Sequence, residues 1–493
     1  MPSRLRLLPA IILLTVMPAL ASCKRESDQA IVVDVIGSGG DPFEAGIRLS
    51  TAGQLVRAAT AEGLVGFDAE GRVIPALADR WIVTDDGLSY IFRLGDGKWS
   101  DGSELSGESA RDALRQKIAA LAGTPLGRDL AGIEEVRAMT GRVVELRLTY
   151  PMPDLLDLLA QPEMSLARRG KATGQYLLKR EGSLALLQPR SPANRGMAEQ
   201  PGWKDSLRAI SLHALPITAA IKRFENGSSG IVLGGHFEDF PQAREAAGLS
   251  GRALRIDPVT GLFGLIIVNG DGWLANPDAR EALAMAIDRE ALSAELKVSG
   301  WTSTTRMIAP GVADAPLTIG ERWAGFDIGR RKTEAAARLS KWVAKGGRSL
   351  TLKIALPIGL GADVLFNRLA SDFGAIGIKA ERTELDENAD LRLVDVVARY
   401  GRADWFLQQL SCASARGLCS SAADKSADAA RQSADPARRA ALLAEAEAEL
   451  TSANVFIPLG SPIRWSLIRD PLPGFAVNLR GLHPLPPLAA RTK

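Results

Sequence analysis

Phe263-Gly264-Leu265-Ile266-Ile267-Val268-Asn269 is the segment that most narrows the fold. Its nearly unbroken apolar run fits a strand buried on both faces, which needs a covering layer on each side. The next segment supplies one. Asn276-Pro277 opens a helix, with Asn276 as N-cap and Pro277 at the first position. Leu283, Ala286, Ile287 and Leu292 then recur at helical spacing. Further on, 350–356 reads as a strand, 364–373 as a helix and 378–383 as a strand. That alternation predicts an α/β fold. Nearer the start, 31–36 reads as the first strand, before the glycine-rich turn at 37–40. The turn Asp85-Asp86-Gly87 separates two β-like runs, and the second, 88–94, alternates so that one face is buried and one is wet. Ser106 caps a helix running to about 121, and Asp435-Pro436 starts another to about 450.

The 493 residues are enough for several packed lobes. Net charge is only +3, from 60 basic and 57 acidic residues with the arginines scattered, so no field points to nucleic acid. No Gly-x-Ser-x-Gly elbow, phosphate loop or Ser-x-x-Lys pair is present, which argues against an enzyme. His213, His236 and His483 lie far apart without ligand spacing, so neither a metal site nor a cofactor is expected. Cys412 and Cys419 form a local pair. In an oxidising compartment they predict a disulfide contributing roughly 2 kcal/mol; two free thiols are the alternative.

Arg4 and Arg6 precede an apolar stretch, 7–20, that is too short to span a bilayer comfortably. Basic start, short apolar core and small-residue cleavage site make a secretory signal over 1–22. Leu20-Ala21-Ser22-Cys23 resembles the lipobox of bacterial lipoproteins. The resemblance implies cleavage before Cys23, acylation of that cysteine, a tether over 23–30 and a membrane-anchored, periplasmic protein.

Longer blocks resemble the family 5 solute-binding proteins of ABC transporters, the oligopeptide- and dipeptide-binding group. They are Gly71-Arg72-Val73-Ile74-Pro75-Ala76-Leu77-Ala78-Asp79-Arg80-Trp81, then Asp86-Gly87-Leu88-Ser89-Tyr90-Ile91-Phe92-Arg93-Leu94, then Trp99-Ser100-Asp101-Gly102. Thr173-Gly174-Gln175-Tyr176, Arg280-Glu281-Ala282-Leu283-Ala284-Met285-Ala286-Ile287-Asp288-Arg289 and Phe456-Ile457-Pro458-Leu459 continue the match. Trp81 and Trp99 read as core anchors rather than ligand contacts. The family implies an α/β, two-lobed periplasmic-binding-protein-like fold (type II, cluster C) with an extra N-terminal subdomain. The expected division is a first lobe over 31–260 with the extra subdomain at about 60–170, a second lobe over 261–455, and a return to the first lobe over 456–493. It also implies a monomer that captures a peptide or small polar solute between the lobes for an ABC permease.

The match fails at two informative places. Peptide binders of this family carry an acid that pairs with the peptide amino group in a stretch corresponding to Val396–Leu407. Arg399 stands at that position, and a guanidinium repels an ammonium group. Ser229-Gly230-Ile231-Val232 likewise lacks the acid of the family block there. The expected cleft residues are Arg399, Tyr400, Asp404 and Trp405, with an anionic or amino-blocked ligand suiting Arg399. A degenerate relative with a sensory or interaction role, and a hydrolase of cell-wall fragments, are the competing readings.

Overall fold

Strand Gly261–Ile267 is buried along its whole length. It pairs antiparallel with Leu391–Val397 on one side and Phe456–Gly460 on the other. Leu350–Ala355 and Ile378–Thr383 extend this sheet by parallel pairing, giving five strands. Helix Leu360–Gly374 is the crossover of the expected β-α-β unit. Helix Pro277–Ala286 begins as its sequence requires: Asn276 Oδ1 accepts the Asp278 N–H at 2.8 Å. The computed structural model describes residues 30–168, 171–199, 201–248, 250–346, 350–469 and 471–491. The signal segment, Cys23 and the tether to residue 29 lie outside the described residues.

A second sheet has seven strands, in the order Tyr176–Glu181, Leu184–Pro189, Ile210–Leu215, Ile31–Ile36, Ile231–Gly235, Trp465–Ile468, Leu254–Ile256. Leu254–Ile256 and Trp465–Ile468 sit together at its edge. The chain therefore leaves this sheet through 257–260 and returns through 461–464. These two crossings join the lobes. Phe456–Gly460 still belongs to the five-stranded sheet, so the chain regains the first lobe after Gly460.

Between the first strands of the seven-stranded sheet lies a separate antiparallel sheet, ordered Ala78–Val83, Ser89–Leu94, Val143–Leu148, Ile133–Met139. Tyr90, Phe92 and Leu94 point inward, as the alternation predicted. Helix Gly107–Leu121 packs on it and starts with a Ser106/Ser109 capping box. Trp99 is fully buried and donates its indole N–H to Ser109 Oγ at 3.0 Å, so it anchors this subdomain. The core here does not stop at the subdomain. Phe92, Leu114 and Leu146 belong to the same apolar cluster as Trp405, Phe406 and Leu450 of the second lobe.

The Asp288-Arg289 motif is structural. Asp288 Oδ1 accepts the Ala291 N–H at 3.0 Å and caps helix Arg289–Leu296. Arg289 is buried and donates to the carbonyls of Pro458 (2.8 Å), Ala284 (3.1 Å) and Ile287 (3.3 Å). Burial pushes its pKa down to about 9. The guanidinium thus ties two helices to strand Phe456–Gly460. Arg289→Leu strands these buried acceptors and should lower unfolding free energy by about 3 kcal/mol in urea titration. A change under about 0.5 kcal/mol, the usual range for surface substitutions, would show that water replaces the guanidinium.

Candidate functional site

A cavity of about 230 Å³ opens where the two crossings meet the lobes. Thr51 and Gln54 reach it from helix Thr51–Thr60, Gly234 and His236 from the first-lobe strand Ile231–Gly235 and the residue after it, and Val396–Arg399 from the second lobe. Phe67 and Glu163 contribute from the extra subdomain, and Arg464 and Arg480 from the returning chain. Ile31–Ile36 and Ile231–Gly235 run parallel, so His236 lies just past a strand's carboxyl end, where open α/β sheets bind ligands. Local packing fixes it there. A Cβ on Gly235 would fall 2.1 Å from the Trp465 ring, so only glycine lets the indole lie against this strand. The indole N–H then donates to the His236 carbonyl at 2.7 Å.

The cavity holds three arginines, and each is already matched to a carboxylate. Arg464 Nη1 donates to both oxygens of Asp395 at 2.9 Å. Arg399 binds Asp129 at 2.8 Å, and the Asp129 side chain is fully buried. Arg480 pairs with Asp157 and donates to the Arg399 carbonyl. The Arg399–Asp129 pair joins the second lobe to the extra subdomain. Arg402 makes a parallel link, to Asp314 at 2.9 Å and to Asp154 at 3.4 Å. Gln408 adds a third, donating to the Arg128 carbonyl at 3.0 Å. Burial and the Arg464 charge push the His236 pKa down to about 3, so its ring is neutral.

The four residues expected in the cleft separate. Arg399 lines the cavity, but its charge is committed to Asp129. Tyr400 and Asp404 line a different chamber of about 50 Å³, together with Asp129, Asp154 and Asp314. There the Tyr400 hydroxyl donates to Asp404 Oδ2 at 3.4 Å. Trp405 lines neither space; it is fully buried, edge-on to Phe406 at 5.1 Å. Cys412 and Cys419 are bonded to each other on the surface, with Cα atoms 5.1 Å apart. Thr51, Gln54, His236, Arg464 and Arg480 carry no sequence signal that marks them as cleft residues.

The small chamber sets four carboxylates, Asp129, Asp154, Asp314 and Asp404, beside Arg402, Arg431 and Arg439. Burial raises Asp129 and Asp154 to about 6, against the pull of Arg399 and Arg402 respectively. Asp404 also lies above the ordinary carboxylate range through burial and the nearby Asp314 charge. Raised carboxylates in a cleft can signal acid–base chemistry. This space, however, has room for a few waters rather than a cell-wall fragment.

Two α/β lobes joined by two crossings, with a cavity at the junction, define a two-lobed binding protein. The sequence model described as "Bacterial extracellular solute-binding proteins, family 5 Middle" matches residues 72–418, and the chain belongs to that family. The glutathione-binding protein GsiB of Salmonella typhi is 26 % identical over 322 residues, covering 60 % of this chain and 58 % of that protein. The chain thus spans less than two thirds of that relative. The Escherichia coli murein tripeptide binding protein MppA superposes with a TM-score of 0.79 at 18 % identity, covering 94 % of this chain and 99 % of that one. Haemophilus influenzae OppA in complex with the peptide RPPGFSPFR superposes at 0.78 with 17 % identity, covering 93 % and 98 %.

Two outcomes test the electrostatics. Arg399→Met leaves Asp129 buried and unpaired, and should cost about 3–5 kcal/mol of stability. Adding Asp129→Asn should recover most of that loss in the same urea titration; equal losses for the single and double variants would contradict the pairing. Asp154 titrates near pH 6 when folded and near 3.8 as an ordinary carboxylate. Between those values the folded state holds a proton the unfolded chain has released, so this group's contribution to stability falls as pH rises through 6. Asp154→Asn removes that dependence. Its melting temperature relative to the parent should improve from pH 5 to pH 7.5, and a constant difference would show that Asp154 is not shifted.

Proposed function

We propose that the protein encloses a small polar, peptide-like solute in the cavity at the two crossings and presents the closed form to an ABC permease outside the cytoplasm. The carrying observation is the cavity's framing: both lobes, the extra subdomain and the returning chain all line it. Family membership supports the role. The ligands of these similar proteins, glutathione, a murein tripeptide and a peptide, support the solute class. At about 230 Å³ the space lies below the usual range for drug-sized ligands, about 300–1,000 Å³, which favours a small solute over a long peptide. The pairing of Arg399 with Asp129 weakens the case for a plain anion. An anion would have to draw the guanidinium from a buried carboxylate, at a cost of several kcal/mol. A solute of balanced charge asks for no such exchange.

Opening the lobes would part Arg399 from Asp129, Arg402 from Asp154, and the apolar core shared by subdomain and second lobe. A solute that bridges the walls adds contacts only the closed form provides, and so shifts the population toward it. In this reading, signal cleavage and acylation at Cys23 tether the mature chain and raise its concentration near the membrane permease. It acts as a monomer and carries out no catalysis.

Mass spectrometry of solute released from the natively purified protein should find a stoichiometric small molecule. Val397→Trp, which fills the cavity from the second-lobe wall, should reduce its recovery at least tenfold while the melting temperature holds. Undiminished recovery from that variant would place the solute elsewhere.

A further inference from the structure

A larger space adjoins the cleft. This cavity, of about 350 Å³, lies where the extra subdomain joins the first lobe. Helix Thr51–Thr60 supplies Ala58, the subdomain Val65, Ile74 and Ala160, and the first lobe and returning chain Leu207 and Pro487. The lining is mostly apolar. Its one carboxylate, Glu62, is paired with Arg195 at 2.6 Å, so no uncompensated charge faces the space. Ser165 and Gln175 add uncharged polar groups. Phe67, Gln161 and Leu482 line this cavity and the cleft alike, so the two spaces meet at these side chains. The Arg480 guanidinium stands over the Phe67 ring, 5.0 Å from its centroid, and fixes that side of the junction. On the other side Gln161 Nε2 donates to the Asp157 carbonyl at 3.1 Å; among the described residues its Oε1 receives no hydrogen bond.

We infer that the solute is amphipathic: an uncharged, amide-bearing head occupies the cleft, and an acyl chain joined to it occupies the apolar cavity beyond Phe67. This rests on the cleft being the solute site. The cleft alone falls below the usual range for ligand sites, about 300–1,000 Å³, whereas the cleft with its neighbour lies inside it. An apolar, charge-compensated cavity rewards burial of alkyl surface, at about fourfold in affinity per methylene. An uncharged head suits a cleft whose arginines are each paired with a carboxylate. Glu163 accepts the Gln54 amide at 3.1 Å and can take a further amide N–H from the head. Gln161 Oε1, at the junction, is placed to receive the N–H of the amide that links head to tail. Every wall of the cavity comes from the first lobe, the subdomain or the returning chain, and none from 261–460. The tail therefore finds its complete site before the lobes meet. The head then reaches Val396–Arg399 of the second lobe and favours closure.

The test is calorimetric titration of N-acetyl-, N-butanoyl-, N-hexanoyl- and N-octanoyl-glycylglycinamide into the mature protein stripped of its solute. We expect saturable one-to-one binding that tightens along the series, the octanoyl member at least tenfold above the acetyl member. Ala58→Trp and Leu207→Trp each fill the cavity from a different wall and should flatten the series. Val397→Trp, which fills the cleft, should weaken the octanoyl member at least tenfold. No saturable binding, a flat series in the parent, or a series that stays as steep in both filled-cavity variants overturns the proposal. If solute still co-purifies with the parent and is lost in Val397→Trp, the tail assignment alone falls. Octanoyl binding that Val397→Trp leaves unchanged overturns the cleft reading together with the proposal.

Discussion

Arg464 holds the junction on which the cleft depends. It sits in the second crossing between the sheets. Its carbonyl accepts the N–H of Asp257, in the first crossing, at 2.9 Å, so the two connections are tied side by side. Its guanidinium grips Asp395 of the second lobe through both carboxylate oxygens. Asp257 is held in turn by the Asn478 N–H at 2.9 Å and by His483 Nε2 at 3.1 Å, which clamps the C-terminal segment onto the same place. A buried pair of this kind need not add net stability. Losing one partner is costly, however, because the other charge stays buried without compensation. The geometry of the junction and cavity wall is therefore set by Arg464 and its two partners, Asp257 and Asp395.

A second set of ties lies away from the hinge. The extra subdomain meets the second lobe through Asp129–Arg399, Asp154–Arg402 and a continuous apolar core. In the proposed closure the Arg464 contacts lie at the crossings, whereas these contacts join surfaces that opening would part. Each arginine of the cavity stands on a carboxylate, and Glu163 adds a further acid to the walls.

Much of the fold was legible in the sequence because its signals are local. The run at 263–269 announced a strand buried on both faces, Asn276-Pro277 and Asp435-Pro436 announced helix starts, and alternation at 88–94 announced a one-sided sheet. The family motifs were legible for the same reason: Trp99 and Asp288-Arg289 serve packing and capping. The site was not, because long-range pairing builds it. Arg399 read as an anchor for an anion, yet Asp129, 270 residues away, takes its charge. Trp405 read as a cleft aromatic but fills the core between the second lobe and the subdomain. His236 and Asp395 have no sequence spacing that links them, and only the fold brings His236 Nδ1 to 3.9 Å from Asp395 Oδ2.

The central claim is that the lobes close on a solute at the Arg464 junction. Small-angle X-ray scattering on one preparation, before and after the bound solute is removed by reversible unfolding and dialysis, tests it most directly. The account predicts a larger radius of gyration for the stripped protein and a return to the compact value when the extracted solute is added back. An identical radius in both states would contradict it.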